Sequence, residues 1–292
     1  MIKITKVTQQ TWLSSLIAIA FALTISPLAN ASDGVVEINA AAALAGGITP
    51  DDDPGFPVTI SQPGSYRLTS NLARRQGIAL PGGSGSPPHM IHVTADDVTI
   101  DMNGFRISCN QLVIVLPGGT GGPTPCNSSS SSDEGDGIRG DGDSLTVMNG
   151  TIFGSPDDGI DARGKGTLVR DVQVMMNRGT GVVVREGSTI RDSAAAENDV
   201  YGFSVSIGSM LVGSTAYLNA TGVYASSSSS VLDCNIRDNT SRGLLTPLAL
   251  FIPGNPPPPP VTFSRCTFTG NGDDLFGNLL ELGDNYCQDG TC

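Results

Sequence analysis

From about residue 137 to residue 271, apolar positions recur at neither helical spacing nor in one long strand. They come as short apolar–polar alternations cut by asparagine and glycine. Four segments end on an asparagine: "VRDVQVMMN" at Asn177, "IRDSAAAEN" at Asn198, "LVGSTAYLN" at Asn219 and "VLDCNIRDN" at Asn239. A fifth, "FSRCTFTGN", ends at Asn271, so the steps are 21, 21 and 20 residues, then 32 across an insertion. A glycine and an apolar residue follow each of the first four: Gly181-Val182, Gly202-Phe203, Gly222-Val223 and Gly243-Leu244. Gly159-Ile160 and Gly137-Ile138 extend that column backwards at steps of 22. Counting back from each asparagine, positions −8, −5 and −3 are apolar or small, as in Val169/Val172/Val174 and Val231/Cys234/Ile236. Sites −5 and −3 share one strand face, because side chains alternate with period two.

Units of about 21 residues are too short for a helix plus a strand. With two or three short strands per unit, they predict an all-β parallel solenoid in which coils stack at ~4.8 Å and each residue rests on its counterpart. The asparagine column then reads as amides bonded along the stack at a turn, and the glycines as bends. The alanine-rich "VVEINAAAALAGG" predicts a short capping helix at the first end, since uncovered strand edges invite association. Two proline- and glycine-rich stretches, at about 108–135 and 247–260, predict loop excursions. Ser226–Ser230 reads as a permissive turn.

The first residues carry a different signal. Lys3 and Lys6 precede the apolar run Leu13–Ile25, and "ANA" follows. That is the layout of a secretory signal peptide, and the run is shorter than the ~20 residues a spanning helix needs. The expected organisation is therefore a signal peptide over 1–31, a cap over 32–56, the β-solenoid over 57–285 and a disulfide-closed tail over 286–292. The expected location is secreted, periplasmic or cell-surface, with no transmembrane anchor. Loss of two lysines moves the formal charge from −12 to −14. Such an acidic chain argues against nucleic acid as a partner.

An even cysteine count in an exported chain implies disulfides. Cys109 and Cys126 bracket the first excursion, and Cys287 and Cys292 close a short loop. Cys234 and Cys266 hold the same repeat position in consecutive coils; they are either bonded or two stacked thiols.

With "VTIDMNGFRI" and "VMNGTIFGS", the strand–Asn–turn–Gly-Ile pattern resembles secreted right-handed parallel β-helix repeat proteins of the pectin-lyase-like superfamily. The resemblance covers roughly residues 57–285 and implies a single-stranded right-handed β-helix whose outer strand face holds a polysaccharide across several coils. It also implies a choice of activities, among them pectate lyases, polygalacturonases and alginate epimerases. The site motifs of those enzymes are mostly missing. Asp157-Asp158 matches an aspartate pair, but "GHG", "RIK" and an Asp-Pro-His are absent. The only histidines, His89 and His92, read as solvent-facing residues of an early coil.

Aligning "DGIRGDGDSLTV" on "DGIDARGKGTLV" stacks Asp136 on Asp158, Arg139 on Asp161, Asp141 on Arg163 and Asp143 on Lys165. Three of these four pairs are of opposite charge, which adjacent strands favour modestly. The Asp136–Asp158 column is different. With Asp133, Glu134 and Asp157 it gathers five carboxylates, which calls for raised pKa values, plain solvent exposure or a hard cation such as Ca²⁺. No other cofactor is expected. Two functions compete. One is a non-catalytic exported solenoid that binds glycans or builds surface structure, with Arg139 and Tyr224 as substrate contacts. The other is a lyase or hydrolase of acidic polysaccharide centred on Asp136, Asp158 and Asp161. The resemblance then implies Arg163 or Lys165 as base.

Overall fold

The computed structural model describes residues 34–76, 89–111, 124–125, 135–248, 256–288, 290 and 292. Within them the chain winds as stacked coils, and almost every strand pairs in parallel with the strand one coil away. Strands form a nine-stranded and an eighteen-stranded sheet. A typical coil gives one strand to the first and two to the second, as in Val182–Val184, Thr189–Arg191 and Ala194–Ala196. Among the described residues, the only antiparallel pair joins Arg106–Gln111 to Thr124–Pro125, at the rim of the first excursion.

Register explains the apolar positions. Ile91, Ile138, Ile160, Val182, Phe203 and Val223 stack in one file along the nine-stranded sheet. Ile100, Val147, Val169, Ile190, Leu211, Val231 and Phe263 form a second file. Ile152, Val174, Ala195, Ala216, Ile236 and Phe268 form a third. All of these are at most 1% exposed. Burial of each large aliphatic side chain contributes about 1.5–3 kcal/mol, and no coil achieves it alone. The −8, −5 and −3 positions are therefore the core, as the repeat predicts.

The asparagine file is continuous. Nδ2 of Asn177, Asn198, Asn219 and Asn239 donates to Oδ1 of the next asparagine at 2.8–3.1 Å. Each accepting Oδ1 also takes the backbone N–H of the asparagine before it. Ser155 N–H donates to Asn177 Oδ1 and starts the file. A second amide hydrogen goes to a carbonyl of the preceding coil, for example Asn219 to Ala195 O at 3.1 Å. The residue before each asparagine is left-handed: Met176, Glu197, Leu218 and Asp238 have φ near 55–57°. Isolated non-glycine residues disfavour that conformation by about 1 kcal/mol. The amide network fixes it.

The glycines that follow do something other than bend. A Cβ on Gly181 would meet Gly202 O at 2.5 Å and Asn198 Nδ2 at 2.9 Å. Glycine is required there by the neighbouring carbonyl and the asparagine file, with no positive φ involved.

The ends match the expected caps in part. A helix spans Ala40–Ala45, and its N-cap Asn39 accepts from the backbone N–H of Ala41 and Ala42. Pairing begins ahead of it, because Val36–Ile38 lies parallel to Gly64–Leu68. At the other end Cys287 pairs with Cys292, Cα atoms 5.4 Å apart. Cys109 is buried and is not among the free thiols. Cys126 lies outside the described residues. Cys234 and Cys266 resolve the open alternative as stacked, buried free thiols, so their placement among disulfide cysteines is corrected. In their column Ser193 and Ser214 occupy the coils below, and small polar side chains bond locally there. Besides the two predicted excursions, the step from Val58 to Ile91 is also long, at 33 residues.

Among the described residues, no helix is long and apolar enough to cross a membrane. The expected signal segment lies outside them.

Candidate functional site

The outer face of the nine-stranded sheet brings the candidate residues together. One outward file runs His92, Arg139, Asp161, Val183, Ser204 and Tyr224, and ends in Leu245 and Phe276. A parallel file lies at the turn leading into each strand. It runs His89, Asp136, Asp158 and Thr180 by hydrogen bonds, then Tyr201, Thr221, Arg242 and Asp273 by register.

The first four members of that turn file copy the asparagine logic with different chemistry. The side chains of His89, Asp136 and Asp158 each accept the backbone N–H of the next member one coil along, and Thr180 closes the run as donor. Asp136 N–H meets His89 Nδ1 at 3.2 Å, Asp158 N–H meets Asp136 Oδ1 at 3.0 Å, and Thr180 N–H donates to Asp158 Oδ1. A carboxylate has no hydrogen to pass on, so negative charge accumulates where an amide would be neutral. Asp136, Asp157 and Asp158 each hold an oxygen within 4.8 Å of the others. Asp136 is 1% exposed, and burial pushes its carboxyl up, opposed by the contact with His89. Asp158 is pushed up to about 8: burial is the main cause, the Thr180 N–H opposes it, and the charges of Asp136, Asp157 and Asp161 add to it.

Charges further along the face are paired. Arg163 Nε donates to Asp161 Oδ2 at 2.6 Å, and Arg139 Nε to Asp141 Oδ1 at 3.1 Å. His92 Nε2 lies 2.8 Å from Asp141 Oδ2. Partial burial works to raise Asp141, but His92 and Arg139 outweigh it and hold that carboxyl below its usual range. These contacts run along a coil as well as across it. Lys165 stacks on Asp143 as predicted, but its charge does not pair there. Its backbone N–H donates to Asp143 Oδ1, but its ammonium reaches out to Glu186 at 2.9 Å. Glu186 pushes that ammonium up, away from the behaviour of a base.

Asp136, Asp157, Asp158, Asp161, Arg163, Arg139 and Tyr224 thus share one face. Asp133 and Glu134 lie outside the described residues. Sequence reasoning missed the histidines. Their side chains are 16% and 28% exposed, their rings lie 5.7 Å apart, and each touches a carboxylate of the site. His89 Nδ1 is 3.2 Å from both Asp136 N and Asp136 Oδ2. One ring nitrogen cannot accept from the first and donate to the second at once, so the ring's tautomer and the Asp136 proton are linked. "HMIHV" aligns on "DGIRG", but across a step of 47 residues that hides the match.

At the other end of the face the chemistry turns aromatic. Tyr201 and Tyr224 stack with centroids 5.3 Å apart and planes at 27°. The Arg242 guanidinium lies 4.3 Å over the Phe276 ring.

The family description "Right handed beta helix region" matches residues 89–241 and 137–286, and the chain belongs to that family. No curated protein sequence matches it. Among solved structures, it is similar to the pectate lyase Pel9A, at 12% identity and a TM-score of 0.52. The match covers 79% of this chain and 66% of that one. A mannuronic acid specific polysaccharide family 6 lyase from human gut microbiota matches at 13% identity and a TM-score of 0.41, over 83% of this chain and 57% of that one. The periplasmic alginate epimerase AlgG matches at 12% identity and 0.38, over 77% and 70%. The chain thus spans about two thirds of the length of the pectate lyase. At 12% identity the likeness to the pectate lyase shows the fold alone, a parallel β-helix, and nothing about activity.

Proposed function

We propose that this protein is an exported glycan-binding β-helix that lays a polysaccharide chain along the outer face of the nine-stranded sheet. The observation that carries this reading is the Tyr201–Tyr224 stack on the same face as a row of fixed polar groups. Sugar rings present apolar C–H faces and polar edges, which suits aromatic faces next to hydrogen-bonding groups. From His92 to Tyr224 the face spans five coil steps, about 24 Å. That length suits a polymer better than a small molecule.

The test is binding of the full chain to a panel of neutral and uronate-containing polysaccharides by affinity electrophoresis. Retention by at least one glycan, weakened about tenfold in Tyr201→Ala or Tyr224→Ala, supports the reading. Retention that ignores both substitutions sinks it.

A second reading, hydrolysis or elimination of the bound chain, is favoured by one specific observation. Asp158 carries a proton near neutral pH, beside Asp136 and Asp157. A carboxyl kept neutral at working pH is what a general acid needs. Asp158 has the role of acid in this reading. Asp136 is closed in by His89 and the Asp158 N–H, so it does not suit the role of partner to that acid. Arg163 is bound to Asp161 and Lys165 to Glu186, so neither suits the role of base. Reducing ends or unsaturated products that vanish in Asp158→Asn favour this reading, and binding with no product removes it.

A hard divalent cation fits the three aspartates only in part. They offer oxygens at suitable spacing, but both Asp136 oxygens are already engaged and a calcium ion takes six to eight ligands. No step above depends on one.

A further inference from the structure

The turn file carries a second polar group whose bonding is incomplete. Arg242 and Asp273 are consecutive rungs, on the strands Arg242–Leu245 and Asp273–Phe276. Arg242 Nε stands 3.8 Å from Asp273 Oδ2, too far for a hydrogen bond. That Nε is buried and has no hydrogen-bond partner among the described residues. A buried donor left open is disfavoured, and the Arg242 side chain, 32% exposed, can shift to meet a group that completes it. Phe276 lies beneath the guanidinium at 4.3 Å and holds its plane. Asp273 is 67% exposed at its side chain and can turn toward a ligand.

We propose that the C-terminal half of this face is a subsite for an uncharged sugar ring, whose hydroxyls bridge Arg242 and Asp273 beside the aromatic groups Tyr201, Tyr224 and Phe276. This rests on the glycan reading above and names the class of sugar. A hydroxyl both accepts and donates, so one placed between the two side chains accepts from the guanidinium and donates to the carboxylate. A carboxylate ligand satisfies the arginine but meets Asp273 as a like charge. The rest of the face reinforces the choice. Arg139 and Arg163 are each bound to an aspartate, while Asp136, Asp157 and Asp158 cluster four to five coil steps from Arg242, about 19–24 Å away. A polyanion lying along the sheet meets carboxylates at one end and Asp273 at the other. The formal charge of −12 opposes its approach from a distance.

The experiment is affinity electrophoresis of the full chain in neutral galactomannan or β-glucan and, separately, in polygalacturonate or alginate. The expected result is retention by a neutral polymer that changes less than about twofold when salt is raised to about 0.5 M, because no ion pair carries the contact. Arg242→Ala weakens it about tenfold, and Arg242→Lys does not restore it, since an ammonium lacks the planar fork. Asp273→Ala, an exposed change that leaves the strand intact, weakens it to a similar degree. Retention by the uronate polymers alone, or loss of binding with salt, overturns the proposal. So does wild-type behaviour of the Arg242 and Asp273 variants where Tyr201→Ala loses binding; that result leaves the general glycan reading standing. Retention by no polymer overturns both.

Discussion

Two files of side chains run up this protein by the same geometry and come to opposite ends. In the file from Asn177 to Asn271, every rung accepts a backbone N–H and hands its own amide hydrogen on. In the file of His89, Asp136 and Asp158, each side chain accepts a backbone N–H, the last from Thr180, but the two carboxylates have no amide hydrogen to hand on. The amide file is neutral, dry and self-satisfying. The carboxylate file stores charge that burial disfavours, and Asp158 answers by keeping its proton up to about 8. One stacking rule thus builds both the brace and the charged surface, and a single atom, nitrogen against oxygen, decides which.

Exchanging the two chemistries is the most direct way to break that contrast. Asn198→Asp replaces a donor facing Val174 O and Asn219 Oδ1 with an anion. The expected loss at neutral pH is about 3 kcal/mol or more, recovering toward acid as the new carboxyl protonates. Urea unfolding at neutral and acid pH reads it. A loss under about 1 kcal/mol at neutral pH means the amides are ornamental.

The reverse exchange has the opposite sign. The Asp158 proton is held more tightly in the folded chain than in the unfolded one. Its contribution to stability is therefore complete below about pH 4, decays as pH rises, and is gone above about 8. Asp158→Asn keeps the acceptor for Thr180 and removes the titration. The expected variant gains about 2 kcal/mol relative to wild type at alkaline pH, and its melting temperature is flat across the window where that of wild type falls. Parallel pH profiles for the two proteins refute the charge-storage account.

Smaller effects sharpen the picture. His89→Ala removes the partner that favours the ionised form of Asp136, so a loss of about 1 kcal/mol is expected at neutral pH, shrinking in acid. An equal loss at both ends of the pH range would reduce His89 to packing. Lys165→Ala serves as the control, since its ion pair with Glu186 is 67% and 60% exposed. Its melting temperature is expected to match that of wild type. A shift means that outward charges matter here as much as buried ones.

Most of the fold was legible because stacking turns a distance in space into a distance in sequence. Wherever the step holds at 20–22 residues, as from Gly137 to Gly243, register, core and amide file could be read off directly. Legibility failed where the step changed. His89 and His92 sit below Asp136 and Arg139, but 47 residues away, so no repeat count could join them to the site. The long step between Val58 and Ile91 was missed for the same reason. Side-chain direction was a second barrier. Stacking placed Lys165 over Asp143 correctly, but the choice of Glu186 for its ammonium depends on rotamers that sequence does not encode. A third was the reason for the glycines. Bends and close approaches both select glycine, and only the 2.5 Å distance from a Gly181 Cβ to Gly202 O tells them apart.

The amide file has a consequence for how such a chain changes over generations. Asn198, Asn219 and Asn239 are interchangeable rungs, so excising one whole turn, residues 199–219, would set Asn198 directly beneath Asn239 with every inward file still aligned. Duplicating a turn would do no more harm. The protein can therefore shorten or lengthen by whole turns, and with them the track on its outer face, without having to invent a new core.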